Sequence, residues 1–243
     1  MKKYYSSSLT IAILLSLFSP FSSANITLER TRIVMAAPKM EASIVMSNAE
    51  SESVMIQAWI EPINATTVPN MPFAITPSLS RLDGNGRQPL RIFYQGQGLP
   101  IDRESVFWLG VQEIPRKSAN ENTLQIAVRQ RIKLFYRPDD LKGKADEAPA
   151  KLQWRLALVD GHPTLHIKNN SAFHVTFGAV NIKHGSSSQP ISVDMLPPYS
   201  SQSLIISGAS PSSSGAASVE FESINDSGGL VQYSSDISIQ TYY

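Results

Sequence analysis

No cysteine occurs in the 243 residues. That excludes disulfides, thiolate metal sites and a cysteine nucleophile. Charge is scarce as well. Asp, Glu, Lys and Arg make up 17% of the chain and balance to a formal +1, which gives no global attraction to nucleic acid or to an acidic membrane surface. No G-x-S-x-G turn marks out a serine nucleophile, and the serines gather in turn-like stretches. Gly84–Gly86 and Gly96–Gly98 form no phosphate loop, because no helical pattern follows either pair. No two carboxylates are set apart for acid–base work. No stretch keeps a 3.6-residue period with caps. These absences argue against an enzyme and leave a binding protein.

One apolar run stands out, L-T-I-A-I-L-L-S-L-F at 9–18. At about 10 residues it is short of the ~20 that a spanning helix needs. Lys2 and Lys3 precede it, and Ser22 and Ala24 form a small-residue cleavage site. Residues 1–24 are therefore read as an export signal, with the mature chain starting at Asn25. A compartment that oxidises thiols suits a chain that has none.

The rest of the chain is built from short alternating runs cut by Pro, Asn and Gly. Strands are expected at 26–35, 43–47, 53–60, 73–75, 90–94 and 106–111, with a turn at Asp83–Gly84–Asn85–Gly86. A charged, Gly- and Pro-containing stretch follows Pro138. Strands then resume at 152–159, 164–168, 173–182, 191–196, 203–206, 218–224 and 230–241. The fold class is all-β, with two sandwiches at 25–140 and 152–243 and a linker at 141–151.

The four histidines carry no metal site on this reading. His162 and His166 are spaced H-x3-H, but on a strand four residues span about 13 Å, too far for two ligands held at ~2 Å from one ion. His174 and His184 have no converging carboxylate. All four are read as turn and surface residues, and no metal or cofactor is expected.

What remains is the stretch 122–138, N-T-L-Q-I-A-V-R-Q-R-I-K-L-F-Y-R-P. Leu124, Ile126, Val128, Ile132, Leu134 and Tyr136 share one parity; Gln125, Arg129, Arg131 and Lys133 share the other. That is the pattern of a half-buried strand. At about 13 residues it is long against the typical ~5–6, and it would reach about 40 Å. Two readings stay open: a long core strand with a basic solvent face, or a strand whose Leu124–Ile126–Val128 half is offered to another protein. Arg32 and Lys133 sit in otherwise apolar strands. Each must reach solvent, pair with an internal carboxylate, or await an anion from a partner, because an unpaired buried charge costs several kcal/mol.

At this point the residues resemble a known family. The 122–138 stretch, preceded by D-R-E-S-V-F-W-L-G-V-Q-E-I-P at 102–115, is similar to the chaperones of the chaperone–usher pathway of pilus assembly. T-R-I at 31–33, the strand around Trp59, F-A-I-T-P at 73–77 and S-I-N-D-S-G at 223–228 extend the likeness over the mature chain. The resemblance implies two immunoglobulin-like sandwiches at an angle around a cleft, in the periplasm. It implies that Arg32 and Lys133 bind the C-terminal carboxylate of a pilus subunit. It implies that Leu124, Ile126 and Val128 fill the groove of a subunit lacking its last strand, before delivery to an outer-membrane usher. Glu104, Arg137 and Asp226 match an interdomain ionic network. The eight residues 116–123 look like the short-loop subclass. Two features depart from the pattern: Met35–Ala36 replace a usual Tyr-Pro, and a cysteine pair near the C-terminus is missing.

Lys133 and Leu124 have opposite parity, so either a bulge separates them or they use opposite faces of the strand. Arg129, Arg131 and Lys133 serve as gatekeepers of an exposed edge, or the free protein caps that edge by dimerising. The rival function is a secreted β-sandwich binding module, an adhesin or a carbohydrate binder. It calls for aromatic residues in loops, whereas Trp59, Trp108 and Trp154 all fall in expected strands.

Overall fold

The computed structural model describes residues 26–63, 71–115, 126–184, 187–206 and 217–240. The expected export signal at 1–24, Leu124 and the expected loop at 116–123 lie outside them.

The first sandwich contains β1 (Ile26–Leu28), β2 (Arg32–Ala36), β3 (Glu41–Asn48), β4 (Val54–Pro62), β5 (Phe73–Thr76), β6 (Leu79–Leu82), β7 (Arg87–Tyr94), β8 (Ser105–Ile114) and β9 (Arg129–Arg137). One sheet has the order β1-β3-β7-β5 and the other β2-β9-β8-β4-β6. Ile44, Met46, Leu90 and Ile92 of the first sheet face Ile56, Leu109, Val111, Ile132 and Leu134 of the second. Each such side chain contributes about 1.5–3 kcal/mol on burial.

The expected single strand at 26–35 is two strands in two sheets: β1 pairs antiparallel with β3, and β2 runs parallel to β9. The reason lies in the parity of the buried residues. Ile26 is buried on an even position, Ile33 and Met35 on odd ones. A straight strand would turn one set to solvent, so the chain crosses between sheets instead. At the 83–86 turn, a Cβ on Gly84 would lie 1.9 Å from the Ser51 carbonyl oxygen, so only glycine fits.

The second sandwich contains β10 (Gln153–Val159), β11 (His162–Asn169), β12 (Phe177–His184), β13 (Ser187–Ile191), β14 (Ser200–Ile205), β15 (Ala217–Ile224), β16 (Leu230–Asp236) and β17 (Ser238–Gln240). Its sheets are ordered β14-β11-β10-β17 and β13-β12-β15-β16. Alternation is strict in β15, where Ala217, Val219, Phe221 and Ser223 all point inward. Phe221 packs on Trp154 at 5.2 Å and stacks on Tyr233 at 5.3 Å between ring centres.

Between the sandwiches, residues 145–147 and 149–151 form two 3₁₀ turns. Ala148 is buried, and Leu141 and Ala145 pack on the second core. The stretch that composition marks as a linker is thus docked along the second sandwich.

The 122–138 stretch is shorter as a strand than its pattern implies. β9 begins at Arg129. Residues 126–128 are exposed and carry no ladder, apart from one bond from the Glu113 amide to the Val128 carbonyl (3.1 Å). Hydrophobic alternation continues past Arg129, but β8 ends at Ile114, so pairing runs out.

Candidate functional site between the two sandwiches

The sheet switch lays β2 beside β9 and makes Arg32 the register partner of Lys133. Adjacent strands are about 4.8 Å apart, so two cations stand side by side. Arg32 is 8% exposed. Its Nη1 donates to the Ile224 carbonyl of the second sandwich at 2.8 Å, and its Nε is buried without a partner. Its guanidinium lies 5.6 Å from the Phe135 ring centre. Burial lowers its pKa from the ordinary value, and Asp226 and Glu104 oppose that shift. Lys133 is half-buried. Among the described residues its ammonium meets no hydrogen-bond acceptor and lies 5.8 Å from the Trp108 ring centre. Burial, then repulsion by Arg32, holds it below the usual lysine range, and Asp194 acts the other way. Neither cation forms an ion pair with a described carboxylate.

Glu104, Arg137 and Asp226 do come together. Arg137 donates to Glu104 Oε1 through Nε (3.0 Å) and Nη2 (2.9 Å), and to Asp226 through Nη1 (2.8 Å) and Nη2 (3.0 Å). Burial alone would lower the Arg137 pKa, but the hydrogen bonds and charges of Asp226 and Glu104 outweigh it and raise it. Asp226 is presented by a turn. Asn225 Oδ1 accepts from the amides of Ser227 (3.1 Å) and Gly229 (2.8 Å), which holds the carboxylate toward the first sandwich. The network ties β9 to the second domain through a buried acid, and a buried charge needs such partners.

His174 belongs to this junction, and the sequence reading missed it. Glu104 Oε2 accepts from the His174 amide (2.9 Å) and contacts its Nδ1 (3.0 Å). The Glu104 amide in turn donates to the Ala172 carbonyl (2.9 Å). The His174 side chain is buried, so it is not the surface residue expected. Nothing in S-A-F-H-V signals this, because the acid it meets is 70 residues away. A cleft of about 860 Å³ opens here, lined by Arg32, Glu104, Phe135, Arg137, His174 and Asp226 among others; Lys133 is not in its lining.

The second half of the site is an edge. β9 pairs with β8 without a shift from Tyr136 to Arg129. The Glu113–Val128 bond continues that register, so no bulge separates Val128 from Lys133, and the two features use opposite faces. On its other side β9 pairs with β2 only over Lys133–Arg137. Among the described residues, Arg129–Ile132 have no strand on that side. Beyond them, Ile126 is 73% and Val128 48% exposed. An open edge running into exposed aliphatic side chains can accept a strand, and the neighbouring cations can accept an anion.

The fold and this site define the class: two β-sandwiches with a cleft between them that Arg32 lines, and one strand left half uncovered. The chain belongs to the pilus-assembly chaperone family. The family model for the PapD N-terminal domain of pili and flagellar-assembly chaperones matches residues 25–142, and that for the C-terminal domain of the pili assembly chaperone PapD matches 147–235. The probable fimbrial chaperone YadV of Escherichia coli K12 is 34% identical over 88% of this chain and 91% of its own. The chaperone protein FimC of the same strain is 32% identical over 85% of this chain and 82% of its own. The crystal structure of the YadV chaperone superposes with a TM-score of 0.75, 32% identity and coverage of 88% of this chain and 100% of that one. A Salmonella enterica SafA pilin–SafB chaperone complex matches with a TM-score of 0.72, 25% identity and coverage of 87% and 95%.

Proposed function

We propose that this protein binds pilus subunits in the periplasm, holds them in a soluble, assembly-ready state and passes them to an outer-membrane usher. It acts by lending a strand, and it needs neither catalysis nor a cofactor. The observation that carries the reading is the uncovered edge of β9, which continues in register to exposed Val128, with exposed Ile126 beyond it, beside two cations that form no ion pair with a described carboxylate.

A subunit short of one strand exposes an apolar groove and unpaired backbone, and such a surface aggregates. The backbone of 126–132 supplies the missing hydrogen bonds. Leu124, Ile126 and Val128 enter the groove, each contributing about 1.5–3 kcal/mol before ordering costs. The subunit's terminal carboxylate lands on Arg32 and Lys133. Two desolvated cations without a counter-ion are unfavourable in the free protein, so a carboxylate relieves repulsion as well as forming hydrogen bonds. That contact fixes register, deciding which side chain meets which pocket. Glu104, Arg137 and Asp226 hold the two domains at the angle the cleft requires.

The test is co-purification from a periplasmic extract. A small β-rich subunit should travel with the wild-type protein and be lost with Ile126→Asp. Equal recovery with that variant would place recognition elsewhere.

A further inference from the structure

The solvent face of the β9 sheet carries an ordered stack that ends at Lys133. Register partners form rows across β4, β8 and β9. One row is Trp59–Gly110–Arg131, and the next is Glu61–Trp108–Lys133. The cations lean onto the rings: Arg129 lies 4.7 Å from the Trp59 ring centre and Arg131 4.6 Å from that of Trp108. Lys133 shares the Trp108 ring at 5.8 Å. Gly110 makes the stack fit, since a Cβ there would come within 2.7 Å of the Trp59 indole.

Glu61 is the acid of the stack, and it is already engaged. It accepts from Trp59 Nε1 at 3.0 Å and pairs with Arg129 and with Arg131, the latter at 2.9 Å. Burial works to raise its pKa, but the Trp59 hydrogen bond and the two arginines prevail and lower it. Two arginines therefore hold the one acid in the row, and Lys133 is left with an aromatic face.

We infer that Trp108 is a positioning residue for Lys133: it holds the ammonium in place beside Arg32 while leaving its hydrogen-bond donors free. The physics favours a ring over a carboxylate here. A ring face attracts a cation through its quadrupole but accepts no strong hydrogen bond, so all three N–H donors stay available. A resident carboxylate would have to be displaced by the incoming one. The inference rests on the carboxylate-anchor reading above.

The test uses a synthetic peptide of alternating apolar and polar residues, made with a free C-terminal carboxylate and again as the C-terminal amide. Wild type should bind the acid more tightly than the amide. Trp108→Leu should cut that acid-to-amide preference by about tenfold, the scale of one partly desolvated cation–π contact, with amide binding unchanged. Trp108→Phe should keep most of the preference. A merely structural role would weaken both peptides equally and overturns the inference, as does an unchanged preference in Trp108→Leu. A wild type that treats acid and amide alike overturns the anchor reading itself. Should Trp108→Leu fail to fold, NMR of ¹³C-dimethylated lysines in the wild type serves instead. A ring-current-shifted resonance that disappears in Lys133→Arg supports the inference, and an unshifted Lys133 signal overturns it.

Discussion

The two halves of one strand behave as different materials. Over Lys133–Arg137, β9 has β8 on one side and β2 on the other, and its side chains meet both domains. Over Arg129–Ile132 it has β8 alone, and by Ile126 it has no ladder at all. Composition differs between the halves, since Leu134–Phe135–Tyr136 lie between Lys133 and Arg137 whereas Arg129–Gln130–Arg131 precede Ile132. The neighbours differ with it. Strand character is a property of available partners as much as of the residues themselves. In the proposed function the covered half builds the protein and the uncovered half is kept for a guest.

Changes in the covered half should therefore strike stability, and changes in the open half should strike binding alone. The largest effect is expected from Arg137→Ala. It takes the cation from Glu104, whose side chain is 2% exposed and keeps only His174 among the described residues, and should lower unfolding free energy by about 3 kcal/mol in urea titrations. A loss within the ~0.5 kcal/mol of an ordinary surface substitution would mean the network does not hold the domains together. Next, Ile126→Asp should weaken subunit binding about a hundredfold while leaving stability within ~0.5 kcal/mol; calorimetric binding and melting on one sample separate the two. A lowered melting point would blur the contrast between the halves.

Lys133 sits at the border, and its alanine variant should mix the two behaviours. Subunit affinity should fall about tenfold or more. Stability of the free protein should hold steady or rise slightly, because a repelled charge has been removed. The pH dependence sharpens this. The folded-state pKa of Lys133 is depressed, so the unfolded chain holds more protons between the folded and unfolded values, and free-protein stability rises with pH across that window. Carboxylate binding needs the charged form, so affinity falls as pH climbs through the same depressed value. Opposite trends in melting and binding, both absent from Lys133→Ala, are the expected outcome. The smallest effect concerns self-association. Arg129→Ser with Arg131→Ser removes the edge charges and should raise the apparent mass of the free protein in light scattering. A wild type that is already dimeric, and unchanged by the pair, would favour self-capping.

Much of the architecture was legible in the residues. Alternation with Gly, Pro and Asn punctuation marked most strands, and the resemblance carried the two-sandwich fold. The switch between β1 and β2 was visible too, in the parity change between Ile26 and Ile33, yet reading 26–35 as one strand passed over it. Other features depend on distant partners. The ends of β9 are set by where β8 and β2 stop, His174 by an acid in the other domain, and the packing of Ala148 by a core built later in the chain. Arg32 and Lys133 stood out as cations in apolar runs. Their adjacency required the parallel register of β2 on β9, which no local pattern encodes.

That register has a directional consequence. β2 starts at Arg32, so the covering strand ends where the bare edge begins. A visitor laid along the bare edge with its last residue on Arg32 would travel in the same sense as β2, and hence alongside β9 rather than against it. In the proposed function the two cations then work as a terminus detector: a loop or an internal segment could slide along the rail, but only a true chain end can stop there.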